Sequence, residues 1–544
     1  MNADRLLALY EKVAEAPDAV SRLRRFVLDL AVRGKLVAQD ASDELASELL
    51  KRIAAEKARL VKAKAIRKPK AVLPLDPDDL PFPLPRGWTW TQIAELGIIS
   101  PRNEADDNLE AAFVPMPMIS VEYGVENGHE PRPWGEIKKG YTHFAEGDVG
   151  LAKITPCFEN GKSTVFRSLT GGIGAGTTEL HVVRPLFVDA DYIVLFLKSP
   201  HFIETGIPRM TGTAGQKRVP TEYFTSSPFP LPALAEQRRI VSKVEELMAL
   251  LDRLEAVRST RESTRDRLTA ASLARLTASD TDSADFQVNA RFTLSTLPAL
   301  TTRPDQIKPL RQTILNLAVR GKLVEQDPTE CIADRYSDRA DFDWLPRTWR
   351  TLNFGEHCDI EGGNQPPKSQ FVDEPRPGYV RLLQIRDLGK KPVPVYIPEN
   401  STNRFCREGE ILIGRYGASV GKIFWARDGA YNVALTKFVW PNDAFKADFV
   451  FIVLKSDLFQ EILSGASRSA QAGFNKGDLR DIDFPLPPLA EQHRIVAKVD
   501  ALMALCDRLE AALATTDTTR ARLLEALLHE ALHPAAKAVT EAAE

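Results

Sequence analysis

FPLPALAEQRRIVSKVEELMALLDRLEA occupies residues 229–256, and FPLPPLAEQHRIVAKVDALMALCDRLEA occupies 484–511, 255 positions later, with 22 of 28 letters identical. In the second copy Ile495, Val499, Leu502, Cys506, Leu509 and Leu513 are spaced 4, 3, 4, 3 and 4, the seam of a heptad helix; Ile240, Val244, Leu247, Leu251 and Leu254 repeat it in the first. Pro232 and the pair Pro487/Pro488 stand where a helix start tolerates proline, and no proline follows for about 40 residues. At 1.5 Å per residue each copy predicts a helix on the order of 60 Å long.

The repetition extends outward from these helices. LAVRGKLV at 30–37 recurs letter for letter at 317–324, an offset of 287, and LPRGW at 84–88 answers LPRTW at 345–349, an offset of 261. The first copy therefore holds 26 extra residues between those two marks, in the stretch containing ELASELLKRIAAEKARLVKAKAIRKPK. The segments between LPR-W and the long helix are nearly equal in length, yet they share little beyond LKS at 197–199 and 454–456 and the pairs Gly161/Lys162 and Gly421/Lys422. The flanks repeat and the middles do not.

The repeated LAVRGKLV closes a short amphipathic stripe, Leu23, Val27 and Leu30, mirrored by Leu310, Ile314 and Leu317, with Gly34 and Gly321 as helix stops. The middles are punctuated otherwise. FVPMPMISV (113–121), VGLAKI (149–154), ELHVVRP (179–185), YVRLLQI (379–385), EILIGRY (410–416) and KFVWP (437–441), separated by Gly, Pro and Asn, predict strands and turns. DYIVLFLKSPHF and DFVFIVLKSDLF predict one helix each. The fold class is α+β: two α+β domains held apart by long helices. The Lys/Pro-dense stretch 62–85 and the Ser/Thr/Asp-rich stretch 277–301 read as linkers.

Composition sets bounds on function. A chain of 544 residues, 44% apolar, has room for three or four globular units. With 71 Lys and Arg against 74 Asp and Glu, it is not a polycation that coats nucleic acid or membrane by bulk charge. Cys157, Cys331, Cys358, Cys406 and Cys506 lie far apart with no CxxC pair, which points to free thiols in a reducing, cytoplasmic setting rather than a disulfide framework or zinc site. Asp4, Arg5, Glu11 and Lys12 interrupt the start, unlike a secretory signal, and no run of 18 apolar residues predicts a membrane span.

The loop motifs nearest to a catalytic constellation are broken. Pro156-Cys-Phe-Glu-Asn-Gly161-Lys162-Ser163 approaches a phosphate-cradling loop, but Pro156 replaces the glycine whose backbone must approach the phosphates. Gly172-Ile-Gly174-Ala-Gly176 has the wrong spacing for a dinucleotide loop and reads as a turn. Asn364-Gln365-Pro366-Pro367 is broken by Gln365 as an Asn-Pro-Pro motif, and no HxH pair occurs. The pattern favours recognition over chemistry. A coiled-coil scaffold without a nucleic-acid role is the competing reading from the heptads alone.

The Pro-Leu-Ala-Glu-Gln-x-Arg-Ile-Val box (232–241, interrupted by Ala233, and 488–496), the duplicated LAVRGKLV and the LP-R-x-W mark, in the same order twice, closely resemble the specificity subunit of type I restriction–modification systems. The resemblance spans essentially the whole chain. GYTHFAEGDVGLAKITPCFENGK and GGIGAGTTELHVVRP look like one recurrent subtype of that family's target recognition domain, and EGEILIGRYGASVGK like another. The resemblance implies an N-terminal helical region and linker (1–85), a first target recognition domain (86–231), a central helical region of long helix, linker and second repeat (232–344), a second recognition domain (345–487), and a C-terminal long helix and tail (488–544). The long helices would be an antiparallel coiled coil, pseudo-two-fold symmetric.

By resemblance the subunit is non-catalytic: each recognition domain reads one half of a bipartite double-stranded DNA target, the helices fix the gap and dock two methyltransferase subunits, and endonuclease/translocase subunits join later. No cofactor is expected here; S-adenosylmethionine and ATP belong to the partners. Readers facing one side of a duplex are separated by about one helical turn, near 34 Å.

Arg and Lys read guanine, and Asn and Gln adenine, from loops and strand ends. On that chemistry the DNA-contact candidates are Lys153, Thr155, Lys162, Thr177, Gln216, Lys217 and Arg218 in the first segment, beside Gly215. In the second they are Gln384, Arg386, Arg415, Tyr416, Lys422, Asn432, Lys437, Gln471 and Lys476. Glu236, Gln237 and Arg239, with Glu491, Gln492 and Arg494, are partner-docking candidates; a carboxylate in a first helical turn also suits the helix dipole whatever its partner. LAVRGKLV is read as packing against the long helices. Residues 86–232 hold 13 basic and 17 acidic residues, net -4, and 345–487 hold 19 and 17, net +2, so neither segment is a basic clamp and the isolated subunit is expected to bind DNA weakly.

Overall fold

The computed structural model describes residues 15–69, 71–213, 215–278, 283–330, 332, 336, 344–466 and 473–532. They fall into two compact units, one running to Ser259 and resuming at Thr519, the other Thr260–Thr518.

In the first unit the helix Ala19–Val32 ends at Gly34, which has φ +63°. A Cβ there would lie 2.3 Å from Pro85 Cγ and 3.0 Å from Trp88 Cζ2. Glycine is required both by the left-handed turn and by the close approach. In the second unit Ile307–Val319 ends at Gly321, φ +66°, where a Cβ would lie 2.5 Å from Pro346 Cγ and 3.1 Å from Trp349 Cζ2. LAVRGKLV and LPR-W repeat together because they are the two sides of one contact.

Beyond that contact each chain segment enters a domain on one strand and leaves on its antiparallel neighbour: Thr89–Gln92 with Pro228–Leu231, and Arg350–Asn353 with Asp483–Leu486. The first domain has one antiparallel sheet in the order Gly97–Ile99, Leu180–Pro185, Val149–Ala152, Ser163–Val165. A second sheet runs Glu130–Pro133, Glu110–Val114, Ile173–Gly176, Thr142–Ala145, with its middle pair parallel. The second domain repeats both. Its sheets are Asp359–Gly362, Leu435–Val439, Ile411–Gly414, Ile423–Trp425, and Tyr396–Pro398, Tyr379–Leu383, Gly429–Tyr431, Phe405–Cys406, again with the middle pair of the latter parallel. The unlike middles thus share one topology strand for strand.

Each long helix, Leu234–Thr277 and Leu489–Leu532, has 44 residues, about 66 Å at 1.5 Å per residue. Its first heptad positions fill the core of the preceding domain: Ile240 and Val244 join Tyr192, Phe196, Phe202 and Phe229, and Ile495 and Val499 join Phe449, Phe459 and Phe484. In the second unit Cys506, Leu509 and Leu513 pack with Leu273, Leu276, Ile307 and Leu310. In the first, Leu524 and Leu527 pack on Ala16 and Ala19.

Three sequence expectations change. The segments DYIVLFLKSPHF and DFVFIVLKSDLF each form two helices, Ala190–Lys198 with Pro200–Gly206 and Ala447–Lys455 with Asp457–Ala466. The break falls at the serine of LKS: Ser199 is extended, as a residue before proline prefers, and its Oγ accepts from the Phe202 amide. The Ser/Thr/Asp-rich stretch expected as a linker is the helix Ser283–Leu300, because Phe286, Ala290 and Leu297 recur on one face and pack with Leu273 and Leu276; residues 279–282 lie outside the described residues. The linker expected at 62–85 is seated on the first domain: Gln92 Nε2 donates to the Leu73 carbonyl at 2.6 Å, and Phe82 packs 4.9 Å from Trp90. Cys358, Cys406 and Cys506 are buried free thiols and Cys157 is half-buried; burial pushes Cys358 and Cys406 up to about 12. Cys331 lies outside the described residues.

Candidate nucleic-acid interface

The duplicated Glu-Gln-x-Arg box is a joint inside each unit. Gln237 Oε1 accepts from the Asp189 amide at 2.9 Å and its Nε2 donates to the Pro232 carbonyl at 2.9 Å. Gln492 does the same with the Lys446 amide and the Pro487 carbonyl, at 2.8 and 2.9 Å. Asp189 and Lys446 are the N-caps of the domain helices beginning at Ala190 and Ala447, so each glutamine ties a domain helix to a long helix. Arg239 forks onto Asp43, and Arg494 onto Glu330. Glu491 accepts from the Trp349 indole at 3.0 Å. Burial raises the carboxyl of Glu491 and that of Glu236, with Trp349 and Trp88 respectively opposing the rise. Four of the six docking candidates, Glu236, Gln237, Glu491 and Gln492, are buried within their own unit.

The first domain brings six of its seven DNA-contact candidates to one end of the antiparallel sheet. Lys153 follows the strand Val149–Ala152; its amide donates to the Glu179 carbonyl and its carbonyl accepts from the Val219 amide. Thr155 donates through its amide to the Lys217 carbonyl at 2.9 Å. Arg218 bridges Ile154, and its guanidinium forks onto Glu179 at 2.9 Å twice, holding that carboxyl below its ordinary range. Gln216 and Lys217 are exposed beside it, and Thr177 Oγ1 accepts from the Glu179 amide. Lys162 departs from this group: its ammonium donates to the Met116 carbonyl at 3.0 Å.

In the second domain the backbone assigns counterparts. The Arg415 amide donates to the Ala434 carbonyl as Lys153 does to Glu179, and Tyr416 bridges Gly473 as Ile154 bridges Arg218. Lys422, whose carbonyl accepts from Gly414, answers Lys162, whose carbonyl accepts from Ala152. Asn432 follows Gly429–Tyr431 as Thr177 follows Ile173–Gly176. Arg415 Nε donates to the Phe474 carbonyl and its guanidinium lies 5.2 Å from the Tyr416 ring. Gln384 and exposed Arg386 lie on a turn pinned by the buried Asp387, which takes a forked pair from Arg381. Two candidates stand in ion pairs elsewhere. Lys437 lies 3.5 Å from Glu361 and 3.4 Å from Glu410, mostly covered, and Lys476 lies 2.8 Å from Asp359. Gln471 lies outside the described residues. Among the described residues the buried Asn432 side-chain carbonyl has no hydrogen-bond partner.

Sequence reasoning missed the groups that hold this surface: Glu179 under Arg218, Lys198, and His181. The Lys198 ammonium donates to the Gly161, Val121 and Ser120 carbonyls, and burial lowers it to about 7. His181 bonds the Val219 carbonyl at 3.1 Å and stacks on Phe224, so it fixes the segment leaving the Gln216–Arg218 loop. Burial lowers its pKa to about 4 from 6.5. The folded ring therefore takes its proton later than the unfolded one, and its stabilisation, complete above pH 6.5, is lost as pH falls toward 4. At pH 5 that loss is about 2 kcal/mol. Urea midpoints at pH 7 and pH 5 check it: His181→Asn, which keeps a donor for Val219, is expected to shrink the difference by that amount.

Among the described residues no group of three His, Cys, Asp or Glu is placed to hold a metal ion, and no helix is long and apolar enough to cross a membrane. Two α+β domains of one topology, each jointed to a long helix and carrying different basic and amide side chains at matching strand ends, define a two-headed recognition protein. Residues 346–515 match the family described as the type I restriction modification DNA specificity domain. The chain is 37% identical to the EcoEI specificity subunit of Escherichia coli and 36% identical to the EcoAI specificity subunit of the same organism, each over 94% of both chains. A solved chain from work on complex assembly and conformational transition of the type I R-M system covers 83% of this chain and 99% of its own, with TM-score 0.53 and 23% identity, a likeness of fold. This chain belongs to the specificity subunits of type I restriction enzymes: it serves DNA sequence specificity and is not a catalytic subunit.

Proposed function

We propose that the domains at 86–231 and 345–487 each read one half of an asymmetric bipartite DNA target. In this reading the two 44-residue helices run antiparallel, pseudo-two-fold related, and fix the gap. Two methyltransferase subunits dock on the helical regions, bringing S-adenosylmethionine, and nuclease/translocase subunits bring ATP. The observation that carries the reading is one topology with unlike side chains at equivalent places: Lys153 against Arg415, Thr177 against Asn432, Arg218 against Gly473. Equal frames put both readers in one orientation toward their half-site, and unequal side chains make the halves differ. The box residues Glu236, Gln237, Arg239, Glu491, Gln492 and Arg494 serve docking indirectly, by fixing each long helix against its own domain.

Sequencing methylated adenines in a host carrying this subunit and its methyltransferase tests the reading. Two specified half-sites of different sequence around an unspecified gap are expected; a continuous or palindromic motif would overturn it. The charge balance of the domains, -4 and +2, supports a second expectation. The isolated chain binds its target only weakly at physiological salt, and methyltransferase subunits supply much of the backbone contact. Filter binding across a salt series checks it, and a salt-resistant nanomolar complex of the chain alone would contradict it.

A further inference from the structure

We propose that the basic arm Lys62–Lys68, present in the first copy of the repeat and not in the second, is a sequence-independent DNA-backbone contact that offsets the acidity of the first domain. The proposal deepens the DNA reading above and rests on it. The arm belongs to the 26-residue excess of the first copy. Its helix, Ala46–Lys62, is rooted in the core through Ala46, Leu49 and Ile53, beside Trp88, Ile93 and Leu96. From Lys57 to Leu75 the chain holds seven basic residues and no acidic one.

These cations differ in what they do. Lys57 is directed inward to the Ala94 carbonyl, and Arg59 is tied to Glu56. Lys62, Lys64, Arg67 and Lys68 are exposed, and among the described residues none has an acidic partner. The helix dipole accounts for a cation at Arg59 or Lys62, in the last turn. It does not account for Lys64, Arg67 and Lys68, which lie beyond the helix end. Lys64 is also strained. The Lys64 amide donates to the Val61 carbonyl and the Ala65 amide to the Leu60 carbonyl, a Schellman end that places Lys64 at φ +57°, where glycine is the easy residue. A lysine kept there at a conformational cost points to a use for its charge.

The arm is not a loose tail. Leu73 and Phe82 fasten the following chain to Gln92 and Trp90 of the first domain. The short helix Ile93–Leu96, on which Lys57 rests, lies against Thr221–Ser226, the segment that follows the Gln216–Arg218 loop. The domain that follows the arm, 86–232, is net -4 and the second domain is net +2, so the four exposed cations of the arm supply charge that a polyanion ligand of the first domain would otherwise lack. An acidic protein surface is the rival occupant, and the test separates it.

The test compares the full chain, in complex with its methyltransferase subunits, with a variant carrying Lys62→Gln, Lys64→Gln, Arg67→Gln and Lys68→Gln. Each neutralised phosphate contributes about 0.9 to the slope of log K against log salt. The variant slope is expected to fall by about 3 to 4 on both the target duplex and an unrelated duplex, with the ratio between the two affinities unchanged. A control carrying Lys51→Gln and Arg52→Gln, whose side chains pair with Glu48 and Glu44, should leave the slope unaltered. An unchanged slope in the fourfold variant overturns the proposal, and if assembly with the methyltransferase is lost at the same time, the occupant is an acidic protein surface. Because backbone contact ignores sequence, the unrelated duplex decides the matter even if the bipartite reading fails on its own test.

Discussion

Trp349→Ala is expected to destabilise the second unit by about 3–5 kcal/mol, the cost of emptying a well-packed aromatic site. Trp349 is 2% exposed, lies edge-on to Phe449 at 6.4 Å, and places its Cζ2 against Gly321. Its indole also donates to Glu491, a buried carboxyl whose pKa burial already raises. Truncation therefore removes core volume, frees the helix stop at Gly321 and takes a donor from a buried acid, which alone costs about 1–3 kcal/mol. Hydrogen exchange checks the effect and its location. Protection should fall in the strands Ile411–Gly414 and Leu435–Val439 and at the start of the long helix near Ile495. Protection in the strands of the first domain should stay unchanged, since Trp88 packed against Gly34 stands there in place of Trp349. Unchanged protection around Ile495 would mean that the box is not the joint between domain and helix.

Much of this architecture was legible in the letters because it is repeated and periodic. The heptads of 240–254 and 495–513 predict long helices, and the structure has them; Gly34 and Gly321 predict stops, and both are left-handed. The shared topology of the middles was not legible. It rests on backbone pairing such as Ala112 with Gly174 and Leu382 with Ala430, which constrains spacing and burial but hardly identity. Besides LKS, Gly161/Lys162 and Gly421/Lys422 survive as letters, because a left-handed glycine precedes the same strand in both domains. The stretch 283–300 misled for a related reason. Its polar composition suggests a linker, but Phe286, Ala290 and Leu297 carry enough apolar contact to hold a helix.

The site was legible as chemistry and less so as geometry. Basic and amide residues beside glycines at strand ends lead to Lys153, Gln216 and Arg218, which the first domain gathers, and to Arg415 at the equivalent place in the second. The same criterion also selects Lys437 and Lys476, and no local pattern reveals that Glu361, Glu410 and Asp359 wait across the sheet or turn to pair with them. The box illustrates the converse. Glu236-Gln237 and Glu491-Gln492 sit on a helix start and read as surface, yet all four are buried, and the glutamines bond the N-cap amides of the domain helices starting at Ala190 and Ala447.

Lys153→Ala and Arg415→Ala are expected to act on different halves of the target. Each residue is the first after the third-ordered strand of its antiparallel sheet, held by the same amide bond, so each side chain leaves its domain from the same place. A side chain that reads a base edge there is worth about 1–3 kcal/mol of discrimination, roughly 5- to 150-fold. Lys153→Ala should relax preference at one position of one half-site and leave the other half untouched; Arg415→Ala should do the reverse. With the sites in separate domains and no shared partner, the double variant should show the sum of the two losses within about 0.5 kcal/mol. Competition binding against a panel of single-base variants of the methylated sequence measures all three. A uniform loss across the panel would make these residues phosphate contacts, since backbone binding weakens all sequences alike. A loss confined to the same half-site for both variants would break the assignment of one reader to each half, because equivalent positions in two separate frames cannot then be reading different ends of the duplex.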